Sequence, residues 1–232
     1  MAEVRTPTSA PGAHGKRRWP SGFTLMEVWV GLLITVVIAG ASMAAFRGRT
    51  KVQSLRRVRD VVTADARSVR QLGFSGKTAS VCVVGPSDIS VCTPSGSCAG
   101  TCTQKVPKGG FGLRFQRCTT PPCSYQVFAD VDGGNDYDAD EVLANGVKTV
   151  ESPIQITPLT VSMVGCADQN ETWNSVVFAP YSGSATLRGE LSNCGGYTGA
   201  ARLRNIVTFG PTVSGSSVQM IFNTGGGGIQ EH

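Results

Sequence analysis

An α+β subunit is predicted, with a long N-terminal helix, half membrane-spanning and half amphipathic, packed on an antiparallel β-sheet domain. Three observations lead there. Across residues 23–46 the sole ionisable side chain is Glu27. Val52, Leu55, Val58, Val62, Ala66 and Val69 then recur every three or four residues, which marks one face of a helix. After Gly76 come short β-branched and aromatic runs separated by Gly, Pro, Ser and Asn, the pattern of antiparallel strands joined by hairpins and loops.

The apolar run comes first. At about 1.5 Å per helical residue it covers roughly 36 Å, against a hydrocarbon core of about 30 Å. Lys16, Arg17 and Arg18 precede it, a flank that favours the cytoplasmic side. A cleaved secretory signal would use Ala41-Ser42-Met43-Ala44-Ala45 as its small-residue site, but the run is longer than the usual signal core. A plain anchor explains the run and its basic flank. It leaves Glu27 unexplained, since a carboxyl in this setting is costly.

The stretch Gly22-Phe23-Thr24-Leu25-Met26-Glu27 resembles the processing site of type IV prepilins and type II secretion pseudopilins. The resemblance implies that a membrane peptidase cuts after Gly22 on the cytoplasmic side and methylates the new amine of Phe23. Glu27 then becomes the acidic fifth residue of the processed chain. The physical logic agrees. Cutting at Gly22 removes the basic leader and creates a cationic amine where a lone charge is expensive. A carboxylate one helical turn away, or on a staggered neighbouring helix, compensates it; the resemblance favours the neighbour, during filament assembly. Many major pilins carry proline where Ala44 stands here, so this helix is expected to be straighter, with Gly40 and Gly48 as weak points. The expected organisation is a leader over 1–22, an assembly helix over 23–46, its amphipathic continuation over 47–73 ended by Gly73, and a periplasmic domain over 74–232.

Composition agrees with export of that domain. The chain has 232 residues and a formal charge of +5. Residues 1–22 hold Arg5, Lys16, Arg17 and Arg18 against Glu3, so the remainder carries 17 basic and 15 acidic side chains. That near-balance gives little support to a general nucleic-acid binder. Cys82, Cys92, Cys98, Cys102, Cys118, Cys123, Cys166 and Cys194 all follow the apolar run, which points to disulfides in an oxidising compartment. Spacing alone leaves 105 connectivities open. Cys98-x3-Cys102 and Cys118-x4-Cys123 also suggest zinc, against which stands the lack of a nearby histidine.

On the amphipathic half, Arg56, Arg57, Arg59, Arg67 and Arg70 fill the face opposite the apolar stripe. They are expected to be solvated; lipid headgroups, DNA or an acidic neighbouring subunit are the functional alternatives. Candidate strands are Ser80–Val84, Phe111–Phe115, Tyr125–Ala129, Ile154–Ile156, Ser175–Phe178, Ile206–Phe209 and Val218–Phe222. The Gly225–Gly228 run reads as a flexible tail. Trp173, Tyr181 and Tyr197 are expected to be packing residues.

Phe128-Ala-Asp-Val-Asp-Gly-Gly-Asn-Asp-Tyr-Asp-Ala-Asp-Glu-Val-Leu143 and Val177-Phe-Ala-Pro-Tyr-Ser-Gly-Ser-Ala185 resemble the GspH/FimT group, the H-type pseudopilins and related minor pilins. This implies a pilin-like fold and a low-abundance subunit near a filament tip. The partners implied are other pilins or pseudopilins, the prepilin peptidase and methyltransferase, the bacterial inner membrane and secreted cargo. The Cys82–Cys123 segment has no counterpart in that pattern. A type II secretion pseudopilin is preferred; the alternative is a type IV pilus minor pilin acting in pilus priming or DNA uptake.

Three site chemistries bear on the charged residues and histidines. Asp130, Asp132, Asp136, Asp138 and Asp140 offer oxygen ligands at alternate positions, like the start of a calcium loop. Counted from Asp132, however, Gly134 takes the third position and Leu143 the twelfth, so a polar hairpin tip is the favoured reading. DNA binding would use Arg188, Arg202 and Arg204, but the Gly-Arg-x-Arg motif of DNA-binding relatives is replaced by Gly210-Pro-Thr-Val-Ser-Gly215. No enzyme activity or cofactor is expected. The histidines are His14 and His232, which leaves histidine-based triads and zinc hydrolase sites without their central residue.

Overall fold

The computed structural model describes residues 24–84, 89–92, 98, 100–134, 137–163, 166–189, 202–211, 217–224 and 228–231, with the side chains of 44–51, 202–203, 211 and 231 outside that description. The chain divides into two units, Met1–Phe46 and Arg47–His232. Helix α1 runs Leu25–Phe74.

In the second unit α1 packs by five of the six residues of its predicted stripe, while Val52 is exposed. Leu55, Val58, Val62, Ala66 and Val69 are buried in the main core, while Arg56, Arg57, Arg67 and Arg70 are exposed. Gly73 does not end the helix. The terminating glycine is Gly76, in the left-handed region at φ 58°. The Gly76 N–H donates to the Gly73 carbonyl at 3.0 Å and the Lys77 N–H to the Leu72 carbonyl at 3.1 Å, the paired bonds of a Schellman cap. Gly73 has a different task. A Cβ there would stand 2.6 Å from the Phe178 carbonyl oxygen, so its missing side chain lets the helix approach the sheet.

Among the described residues thirteen strands follow: β1 (Ala79–Val83), β2 (Ile89–Val91), β3 (Thr101–Lys105), β4 (Gly110–Gln116), β5 (Cys123–Asp130), β6 (Val142–Val150), β7 (Ile154–Met163), β8 (Gln169–Glu171), β9 (Trp173–Phe178), β10 (Ala185–Gly189), β11 (Arg202–Pro211), β12 (Val218–Asn223) and β13 (Ile229–Glu231). They form three antiparallel sheets rather than the single sheet expected, in orders β2-β1-β3, β10-β9-β4-β5-β6 and β13-β12-β11-β7-β8. The two five-stranded sheets share one core. Phe115 of β4 meets Phe209 of β11 edge-on at 6.4 Å and Phe222 of β12 at 5.7 Å. Buried Asn205 of β11 donates to the Ser175 carbonyl of β9 at 3.0 Å, satisfying polar backbone at that junction.

Of the Gly225–Gly228 run expected to be a flexible tail, 225–227 lie outside the described residues; Ile229–Glu231 beyond it form a strand. The Asn223 N–H donates to the Gly228 carbonyl at 3.1 Å, and β13 pairs with β12.

Cystines staple the cysteine-rich segment. Cys82–Cys98 and Cys92–Cys102 tie the small sheet, with Cα separations of 5.7 and 6.2 Å, and Cys118–Cys123 closes the β4–β5 connection at 5.7 Å. Cys166 is also disulfide-bonded; Cys194 lies outside the described residues. The cysteines behind the zinc reading are thus spent in disulfides and offer no thiolate.

Candidate functional site

The first candidate is the start of α1. Thr24 precedes the helix, and its Oγ1 accepts from the Glu27 N–H at 3.2 Å. This is the N-cap bond of a Thr-x-x-Glu start. Glu27 lies in the first turn, where a carboxylate is favoured by the helix dipole. From Leu25 to Met43 the mean hydropathy is 2.0 and no residue is buried. The hydroxyls of Thr35 and Ser42 donate to the Gly31 and Ile38 carbonyls at 2.7 and 2.8 Å, so they present no unsatisfied donor to an apolar surrounding. This helix is long and apolar enough to cross a bilayer, a test that a signal sequence also passes. Gly22 and Phe23 lie outside the described residues.

The second candidate is acidic and mostly buried. Asp130 ends β5 and is fully buried; Glu141 ends a short 3-10 turn, Ala139–Glu141, and is 1% exposed. One carboxylate oxygen from each of Asp130, Asp132 and Glu141 lies within 4.8 Å of the others. Local backbone sets this geometry. Asp130 Oδ1 accepts from the Gly133 N–H at 2.7 Å and Asp132 Oδ1 from the Gly134 N–H at 2.8 Å. Gly109 lies against the Asp130 carboxylate, where a Cβ would collide with it. Glu141 Oε1 accepts from the Val131 N–H at 2.7 Å, while its Oε2 is buried without a hydrogen-bond partner. Burial chiefly, then the charges of Asp130, Asp132 and Asp138, push Glu141 up to about 8, against the pull of the Val131 N–H. Tyr137 anchors the far side of the loop, edge-on to Phe128 at 5.4 Å and beneath the Arg114 guanidinium at 4.0 Å.

This arrangement differs from a solvated hairpin tip. It unites Asp130 and Asp132 with Glu141, which the sequence reading omitted by counting from Asp132. Counted from Asp130, Glu141 is the twelfth residue, the place of the bidentate glutamate in a calcium loop. Asp138 and Asp140 are exposed and outside the group; Asp136 lies outside the described residues.

Arg188 on β10 and Arg204 on β11 are exposed, and Arg204 stands 3.9 Å from the Asp168 carboxylate. Arg202 begins β11, with its side chain outside the description. On the helix, Arg57 pairs with Glu151 at 3.4 Å and Arg59 with Asp60 at 2.8 Å. Trp173 is half-buried, with Arg114 5.4 Å over its ring. Tyr181 is 68% exposed and lies over Gly76 rather than in the core; Tyr197 lies outside the described residues.

No protein-family model, curated protein or solved structure matches this chain.

Proposed function

We propose that this chain is a minor pseudopilin of H type, a structural subunit near the tip of a periplasmic type II secretion pseudopilus. The observation that carries the reading is the junction at Gly22 and Phe23, followed by a capped helix whose first 19 residues, Leu25–Met43, form an exposed, predominantly apolar span with Glu27 in its first turn. Such a surface requires lipid before assembly and neighbouring helices afterwards. A carboxylate at its start answers the amine that cleavage creates. In this reading the protein is made in the bacterial inner membrane, cut after Gly22 and methylated at Phe23. It then moves into the filament with its disulfide-bonded domain in the periplasm.

Assembly would be driven by helix packing, with Glu27 neutralising the Phe23 amine of a neighbour. The β-domain would present its loops to adjoining tip subunits or cargo. The same N-terminal features serve a type IV pilus minor pilin, which is the second reading. Glu27→Ala tests the shared mechanism by crosslinking to neighbouring subunits in cells. The variant should be processed normally yet lose filament incorporation; normal incorporation would defeat the proposal.

A further inference from the structure

We propose that Asp130, Asp132 and Glu141 hold a hard divalent cation, and that calcium is the ion their ligand set fits. The proposal does not depend on the assembly reading. It begins with distance. A calcium ion takes oxygen ligands at about 2.3–2.6 Å, so oxygens facing each other across it stand about 4.6–5.2 Å apart. The three carboxylates each supply an oxygen within 4.8 Å of the others, compatible with a single shared ion.

The second observation is the Glu141 carboxylate itself. It is 1% exposed, its Oε1 is engaged by the Val131 N–H, and its Oε2 is buried with no hydrogen-bond partner. A buried carboxylate oxygen without a donor is expensive, particularly beside two further acids. A cation supplies the missing partner and offsets the mutual repulsion of the three groups.

Chain spacing agrees. Asp130, Asp132 and Glu141 occupy positions one, three and twelve of a twelve-residue loop, three of the ligand positions that a helix–loop–helix calcium site uses. Here strand β5 leads in and strand β6 leads out, with a 3-10 turn closing the loop at Glu141, so the ligand spacing is kept without the flanking helices. Gly134, at position five, brings no side-chain ligand, and exposed Asp132 leaves that side open to water, which commonly completes calcium coordination. The donors are all carboxylate oxygens, which disfavours zinc and copper. Magnesium demands stricter octahedral geometry than this mixed buried and exposed set imposes.

The test is calorimetric titration of calcium chloride into the full chain, purified in detergent and stripped with EDTA. One saturable site per chain is expected, with Kd at or below about 1 mM, the range of extracellular calcium modules. Asp132→Asn, at an exposed position, should weaken binding by about tenfold or more, as should Glu141→Gln. Asp140→Asn, in the same loop but outside the group, should bind like the parent. Circular dichroism of each variant separates lost binding from lost folding, and Asp132→Asn carries the test if Glu141→Gln does not fold. No saturable heat up to about 10 mM calcium, or affinity unchanged in folded Asp132→Asn, overturns the proposal.

Discussion

The Tyr125 phenol donates to Oδ2 of Asp65 at 2.6 Å, joining β5 to the amphipathic half of α1. The ring is buried and stacks on Phe115 at 5.5 Å, so one residue serves both the sheet core and the helix contact. A hydrogen bond to a charged acceptor contributes about 1.5–3 kcal/mol, with Asp65's partial exposure favouring the low end. Tyr125→Phe should therefore lower the unfolding free energy by about 1–2 kcal/mol at pH 8, read by urea titration.

The same pair sets a response to alkali. Burial first, then the Asp65 hydrogen bond and charge, raise the Tyr125 pKa. A raised pKa makes this stabilisation complete below the ordinary tyrosine value of about 10, with progressive loss as pH climbs beyond it. The stability advantage over Tyr125→Phe should shrink between about pH 9.5 and 11. A constant difference across that interval would show that the phenol does not ionise in this way.

Gly76 provides a backbone test. Its φ of 58° and the Tyr181 ring over its Cα leave no room for a side chain. Gly76→Ala should cost about 1–2 kcal/mol through left-handed strain alone, while Gly40→Ala, with open space around an added Cβ, should be neutral or slightly stabilising because alanine is the better helix former. Thermal melts of the two variants compare a cap glycine with a glycine inside α1.

Glu141 gives a prediction at milder pH. Its folded pKa, near 8, lies above the ordinary carboxyl value. In EDTA its contribution to stability is therefore full below about pH 4.3, the unfolded value, and lost as pH rises through 8. Glu141→Gln cannot ionise, so its stability relative to the parent should rise steadily from pH 5 to 8. Parallel pH profiles for the two proteins would contradict this.

Much of α1 was legible because Leu55, Val58, Val62, Ala66 and Val69 repeat at the helical period. The strand centres of β4, β5, β9 and β12 were legible from their apolar runs. Strand β6 was not, because Asn145-Gly146 reads as a turn. In the fold Asn145 adopts φ 61° and Gly146 leaves no Cβ to strike the Val127 carbonyl, so the strand continues through a bulge opposite β5. Division into separate sheets was equally hidden, since alternation shows which face is apolar but not which strands pair. In the acidic loop the residues were visible but their grouping was not. Gly134 interrupts the oxygen pattern, and the hydrogen bond from the Val131 N–H is what brings Glu141 back to the end of β5, beside Asp130.

The most direct test of the assembly account is the intact mass and N-terminal peptide of the protein taken from its native membrane. The account predicts a chain that begins at N-methylated Phe23 and retains Glu27. A chain that keeps residues 1–22 in cells with active prepilin peptidase, or one cut near Ala45, would contradict it.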